Sequence, residues 1–122
     1  MKAGRELDAL IAETVMGWER TLNRAVWREI TSSEHIVDVD QWHPSTEIAD
    51  AWLVVEKFRR GQYPHPRGDS VACVIDLHIS DWVNVPDCHA KIFSPTLSPV
   101  DAYATEMPLA ICLAALKAVE VT

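Results

Sequence analysis

Four residues able to do chemistry fall at even spacing late in the chain: Asp76 and His78, then His89 and Lys91. Strands over 70–80 and 88–94 would put each pair on one face, because residues two apart point the same way. Val71, Cys73, Ile75, Leu77 and Ile79 then share the apolar face of the first strand, and Cys88, Ala90 and Ile92 that of the second. One register that sets apolar opposite apolar places His78 opposite His89 and Asp76 opposite Lys91. Two imidazoles flanked by a carboxylate could contact a ligand, move a proton or bind a metal. A metal asks for three or four converging ligands, and only Asp76, His78 and His89 converge in this register. The alternative is a solvated strand face of ordinary cross-strand pairs.

A second set of groups is cationic and aromatic. Arg20, Arg24, Arg28, Lys57, Arg59, Arg60 and Arg67 are spread through an otherwise acidic chain, with five tryptophans among them. Arginine pairs with phosphate in a forked geometry, and an indole is a good surface for a flat ring. Arg67 stands between Pro66 and Gly68, and Trp82 lies in the 81–87 connection of the hairpin. The expected ligand-binding residues are therefore Trp82, Arg67, His78, His89, Lys91 and Arg24. The ligand is expected at the hairpin end near Trp82, beside the Arg67 loop. The competing reading has the tryptophans capping core edges and the arginines meeting water or helix-end carbonyls.

No nucleophile elbow, P-loop or GxGxxG run is present. Cys112 lies in an apolar helical run, a poor setting for a thiolate. The expectation is a binding protein rather than an enzyme, with no cofactor.

These groups need a scaffold. The chain has 122 residues, 48% of them hydrophobic, enough for one domain spanning 1–122. Its formal net charge of −7 argues against generic DNA-backbone binding. No apolar run reaches the ~20 residues of a membrane span, and Arg5, Glu6 and Asp8 interrupt any signal sequence. A cytoplasmic location is expected. Cys73, Cys88 and Cys112 cannot all pair with one another and read as buried free thiols.

Leu7, Leu10, Ile11, Thr14 and Val15 form a helical stripe that ends at Gly17. Ala25–Ile30 and Glu34–Val39 read as a hairpin around Thr31–Ser33. Ser45 reads as the N-cap of a helix running to about Arg60 and Gly61, with Ile48, Ala51, Trp52, Val55 and Phe58 inward. Residues 94–105 read as a loop. A last helix starts near Pro108 and is apolar on nearly all sides, so it should be the most buried. The expected core joins Leu7, Leu10, Ile11, Trp52, Val55, Cys73, Ile75, Leu77, Leu109, Leu113 and Leu116. A sheet of few strands leaves edges to cover, so a homo-oligomer is expected, in contact through the first helix or residues 19–43.

The opening Gly4-Arg5-Glu6-Leu7-Asp8-Ala9-Leu10-Ile11-Ala12-Glu13-Thr14-Val15-Met16-Gly17-Trp18, the Ser45–Arg60 helix and the closing Pro108–Glu120 helix together resemble the phage ABA sandwich domain family. The resemblance implies an α+β fold, an α/β/α sandwich with three main helices on a mostly antiparallel sheet. It also implies a phage or prophage origin and a bacterial host cell. Small phage-encoded oligomers include sponges that sequester cyclic nucleotide signals of immune systems such as CBASS and Thoeris. By that analogy the partner is a cyclic nucleotide or another phosphate-bearing small molecule, held without turnover. The alternatives are an accessory protein for a host or phage protein, and a small metal-dependent enzyme.

Overall fold

The computed structural model describes residues 2–20, 26–29, 35–64, 68, 70–79 and 88–120. Helix α1 is Arg5–Thr14. Strands β1 (Trp18–Arg20), β2 (Val26–Glu29) and β3 (His35–Asp38) form an antiparallel sheet in that order. A 3-10 turn, Val39–Gln41, leads toward α2, Ile48–Arg59. Strands β4 (Val74–Ile79), β5 (Cys88–Phe93) and β6 (Val100–Ala104) form a second antiparallel sheet, and α3 is Met107–Val119. The result is an α+β sandwich with the three expected helices. It has two three-stranded sheets where one was expected, because among the described residues the first three strands pair only with one another.

Helix α1 buries Leu7 and Ile11 on a single stripe, which Val15 at its C-cap continues. The N–H groups of Val15 and Met16 both donate to the Ile11 carbonyl, and Gly17 follows at φ +72°. Asp8 is only 4% exposed, yet it is satisfied: its carboxylate accepts the Ser45 N–H at 2.8 Å. The Gly4 N–H donates to Ser45 Oγ, and Trp42 Nε1 donates to the Asp8 carbonyl. Ser45 is therefore a buried clasp between the first turn of α1 and the approach to α2, not the expected N-cap. That position belongs to Glu47, without a side-chain cap bond.

Helix α2 turns Ala51, Val54, Val55 and Phe58 inward. Ile48 and Trp52, expected inside, are about half exposed, because the buried stripe is rotated toward Val54. The helix stops as Gly61 anticipates. The Gly61 N–H donates to the Phe58 carbonyl and the Gln62 N–H to the Lys57 carbonyl, with Gly61 at φ +69°. The Phe58 carbonyl also accepts the Cys73 N–H, tying α2 to the segment before β4. Beneath it, Phe58 stacks on Tyr63 with ring centroids 4.6 Å apart.

Helix α3 contacts β5, β6, α2 and α1. Ala110, Ala114, Ala115 and Ala118 are all buried, and such small side chains let four neighbours approach one helix. Leu109 and Leu113 are only half-buried. The same holds for Leu10, Ile75 and Leu77, while Leu7, Ile11, Val55, Cys73 and Leu116 are buried as expected.

Two strand expectations change. The regular strand begins at Val74, later than Ser70, and Ile79 is 72% exposed despite lying on the apolar side. Residues 100–104, expected in a loop, form β6 with Ala102 and Ala104 buried.

Candidate outer-face binding site on the second sheet

The β4–β5 pairing has the expected register: His78 lies opposite His89 and Asp76 opposite Lys91. The third strand extends both rows. Tyr103 pairs with His89 and Asp101 with Lys91. Alternation sends Cys88, Ala90 and Ile92 inward, so the other face of the sheet carries two polar rows. One is His78–His89–Tyr103. The other is Asp76–Lys91–Asp101.

The face is open. Asp76 and His78 are exposed on β4, as are Asp101 and Tyr103 on β6. His89 and Lys91, on the central strand, are half-buried. The His89 ring lies flat on the Tyr103 ring, with centroids 4.2 Å apart and planes 5° from parallel. His89 Nε2 is 3.5 Å from Asp101 Oδ2, an ion pair when the ring is protonated. It has no hydrogen-bond partner among the described residues. Lys91 Nζ sits 5.4 Å above the Phe93 ring, between two aspartates in its own row. The arrangement offers a stacking surface, the exposed His78 imidazole and one ammonium side by side, while His89 Nε2 is itself buried.

Of the six residues expected to bind a ligand, His78, His89 and Lys91 are brought together on this face. Trp82, Arg67 and Arg24 lie outside the described residues. Of the other tryptophans, Trp52 on α2 is half exposed. Trp18, Trp27 and Trp42 are buried, with Trp18 edge-on to Trp42 at 4.7 Å, so none of these three offers a ring to a ligand. Arg28 pairs with Glu19 across β1 and β2. Arg59 and Arg60 both pair with Glu56. The hydrogen bond from Arg59 and the charges of both arginines hold the Glu56 carboxyl below its usual range. Among the described residues, no three His, Cys, Asp or Glu side chains come together as metal ligands.

Sequence reasoning missed Tyr103 and Asp101, because 94–105 was read as a loop. The signal was present in the alternation of Val100, Ala102 and Ala104, which has the period of a strand. It also missed a groove of about 360 Å³ beside β6, lined by Leu10, Ala102, Tyr103, Leu113, Leu116, Lys117 and Glu120. Tyr103 borders both features. Lys117 Nζ donates to the Asp101 carbonyl at 2.7 Å, so it holds the edge of β6.

The family model for the phage ABA sandwich domain matches residues 9–116. Among solved structures, the chain is similar to a phage protein from Bacillus cereus ATCC 14579, known from a 2.0 Å crystal structure. The two are 22% identical, with a TM-score of 0.65 over 96% of this chain and 87% of that one. At that identity the likeness is one of fold. No curated protein matches. Among the described residues, no helix is long and apolar enough to cross a membrane.

Proposed function

The chain belongs to the phage ABA sandwich domain family, and from that premise we propose that it is a phage- or prophage-encoded binding protein for a flat, phosphate-bearing ligand. The ligand class is the cyclic nucleotides and cyclic ADP-ribose isomers used as bacterial immune signals. The protein holds such a molecule without converting it and so acts as a sponge in the host cytoplasm. One observation carries the reading: His89 and Tyr103 are stacked on an open sheet face, with His78 and Lys91 in the adjacent positions. A nucleobase can extend that stack, and Lys91 can meet a phosphate. Among the described residues of this face none is an activated nucleophile held against a base, which is why holding rather than turnover is proposed.

Isothermal titration and native mass spectrometry against cyclic di- and trinucleotides and cyclic ADP-ribose isomers test it. The expected result is saturable binding to at least one, with ligand recovered unchanged. Each lost base–aromatic contact is worth about 1–3 kcal/mol, so Tyr103→Ala should weaken binding roughly 5- to 150-fold. Folded protein that binds none of the panel ends the proposal.

A further inference from the structure

The second sheet has two edges, and they are finished differently. On β6, the Asp101 carbonyl accepts a hydrogen bond from Lys117, and charged side chains on an edge discourage further pairing. On β4, no strand among the described residues pairs with the outer edge. That edge is also apolar. Ile79 is 72% exposed, and Ile75 and Leu77 are only half covered by the core.

We propose that the free edge of β4 receives the same strand of a second copy of this chain, antiparallel across a two-fold axis at Leu77. The strand's own sequence selects this partner and register. Antiparallel neighbours share a face only when like sides meet, so a one-residue slip would set Ile or Leu against Asp or His. Every register centred on a residue keeps the faces matched, and the two that pair five residues of β4 are centred on Asp76 and on Leu77. Centred on Asp76, the pairing puts two carboxylates directly opposite each other, which is unfavourable. Centred on Leu77, it puts Ile79 opposite the partner's Ile75, Leu77 opposite the partner's Leu77, and His78 opposite the partner's Asp76. Within 75–79 every pair is then apolar with apolar or imidazole with carboxylate. The exposed Ile79 gains cover.

The consequence reaches the binding face. Two three-stranded sheets become one of six strands, about 24 Å across at the usual strand spacing. The row Tyr103–His89–His78 of one copy runs on into the partner's Asp76, Lys91 and Asp101. The complete face is two-fold symmetric and is built from both copies. Its match to a ligand of the same symmetry rests on the function proposed above; the pairing itself does not.

Light scattering and sedimentation equilibrium of the full chain at micromolar concentration, without nucleotide, test the pairing. Twice the monomer mass, or an even multiple of it, is expected. Ile79→Lys places a charge on the exposed edge and should give half the native mass with an unchanged circular dichroism spectrum. Asp76→His and His78→Asp, each alone, should weaken association about tenfold, since the broken pair occurs twice across the axis. Combined, they restore the imidazole–carboxylate pair and should recover native association. A native monomer overturns the proposal. So does an Ile79→Lys protein of native mass. If Ile79→Lys does not fold, the exchange decides: a double variant no tighter than its singles overturns the register. No arm involves a nucleotide, so failure here is separate from failure of ligand binding.

Discussion

Cys112 is fully enclosed in α3, and both burial and the nearby Asp8 charge push its thiol well above the ordinary thiol range. Burial raises Cys73 and Tyr63 as well. These shifts have a definite sign. In the unfolded chain the thiols lose protons near pH 8.5 and the phenol near pH 10, whereas the fold keeps them protonated. Above those values the unfolded state binds fewer protons, so stability is full below about pH 8.5 and falls as pH rises further. Urea midpoints measured between pH 7 and pH 10 should therefore decline, and Cys112→Ala should flatten the decline. A midpoint that holds steady or rises would show that these groups are not buried in protonated form. At neutral pH the same burial keeps Cys112 from alkylating reagents until the protein is denatured. The burial could be read from the sequence and the charge beside Cys112 could not. Three uncharged cysteines in apolar runs suggest burial, but the carboxylate beside Cys112 comes from another helix.

The elements make their own demands, and the end of α2 makes the sharpest. Gly61 adopts φ +69°, and a Cβ there would stand 2.9 Å from the backbone N of Ala72 and the carbonyl carbon of Val71. Backbone cannot swing aside as the tip of a side chain can. Gly61→Ala should lose the left-handed penalty of about 1–2 kcal/mol and a steric cost on top of it. Gly17 has a similar φ of +72° but open space around it, so Gly17→Ala should lose only the first part. Thermal or urea unfolding of the two variants compares them directly. Equal losses would mean that the approach of 71–72 does not constrain the α2 terminus. Gly61 was legible as a helix stop from its place after Arg59 and Arg60. The face of α2 was less so. Ile48, Ala51, Trp52, Val55 and Phe58 fit a helical stripe as well as Ala51, Val54, Val55 and Phe58 do, and a rotation of one residue separates them. Only packing against α3 and β4 chooses.

At the scale of the molecule, α3 is the shared wall on which the sheet and the other two helices meet. Ile111→Ala in its centre should cost about 2–5 kcal/mol, whereas Trp52→Ala, removing a larger but 49% exposed side chain, should cost less than about 1 kcal/mol to the monomer. Chemical denaturation at low protein concentration measures both, and the reverse order would mean the burial has been assigned to the wrong faces. Much of this architecture was written in the chain. Helix stripes, Gly stops, a wholly apolar last helix and an alternating hairpin are local patterns, and each depends only on residues a few positions apart. The β4–β5 register was legible in part for the same reason: a two-residue period excludes every odd slip, and one of the registers left is the one observed. The partners of that hairpin were not. Tyr103 and Asp101 join His89 and Lys91 because β6 lies on the far side of β5, and Ser45 becomes a clasp because Asp8 reaches it from 37 positions away. Sequence by itself determined where the three helices and the β4–β5 hairpin lie and which face of that hairpin is apolar. Which side chains meet across those elements was decided only by the tertiary structure, because burial and strand adjacency are properties of the packed chain and leave no fixed spacing in its sequence.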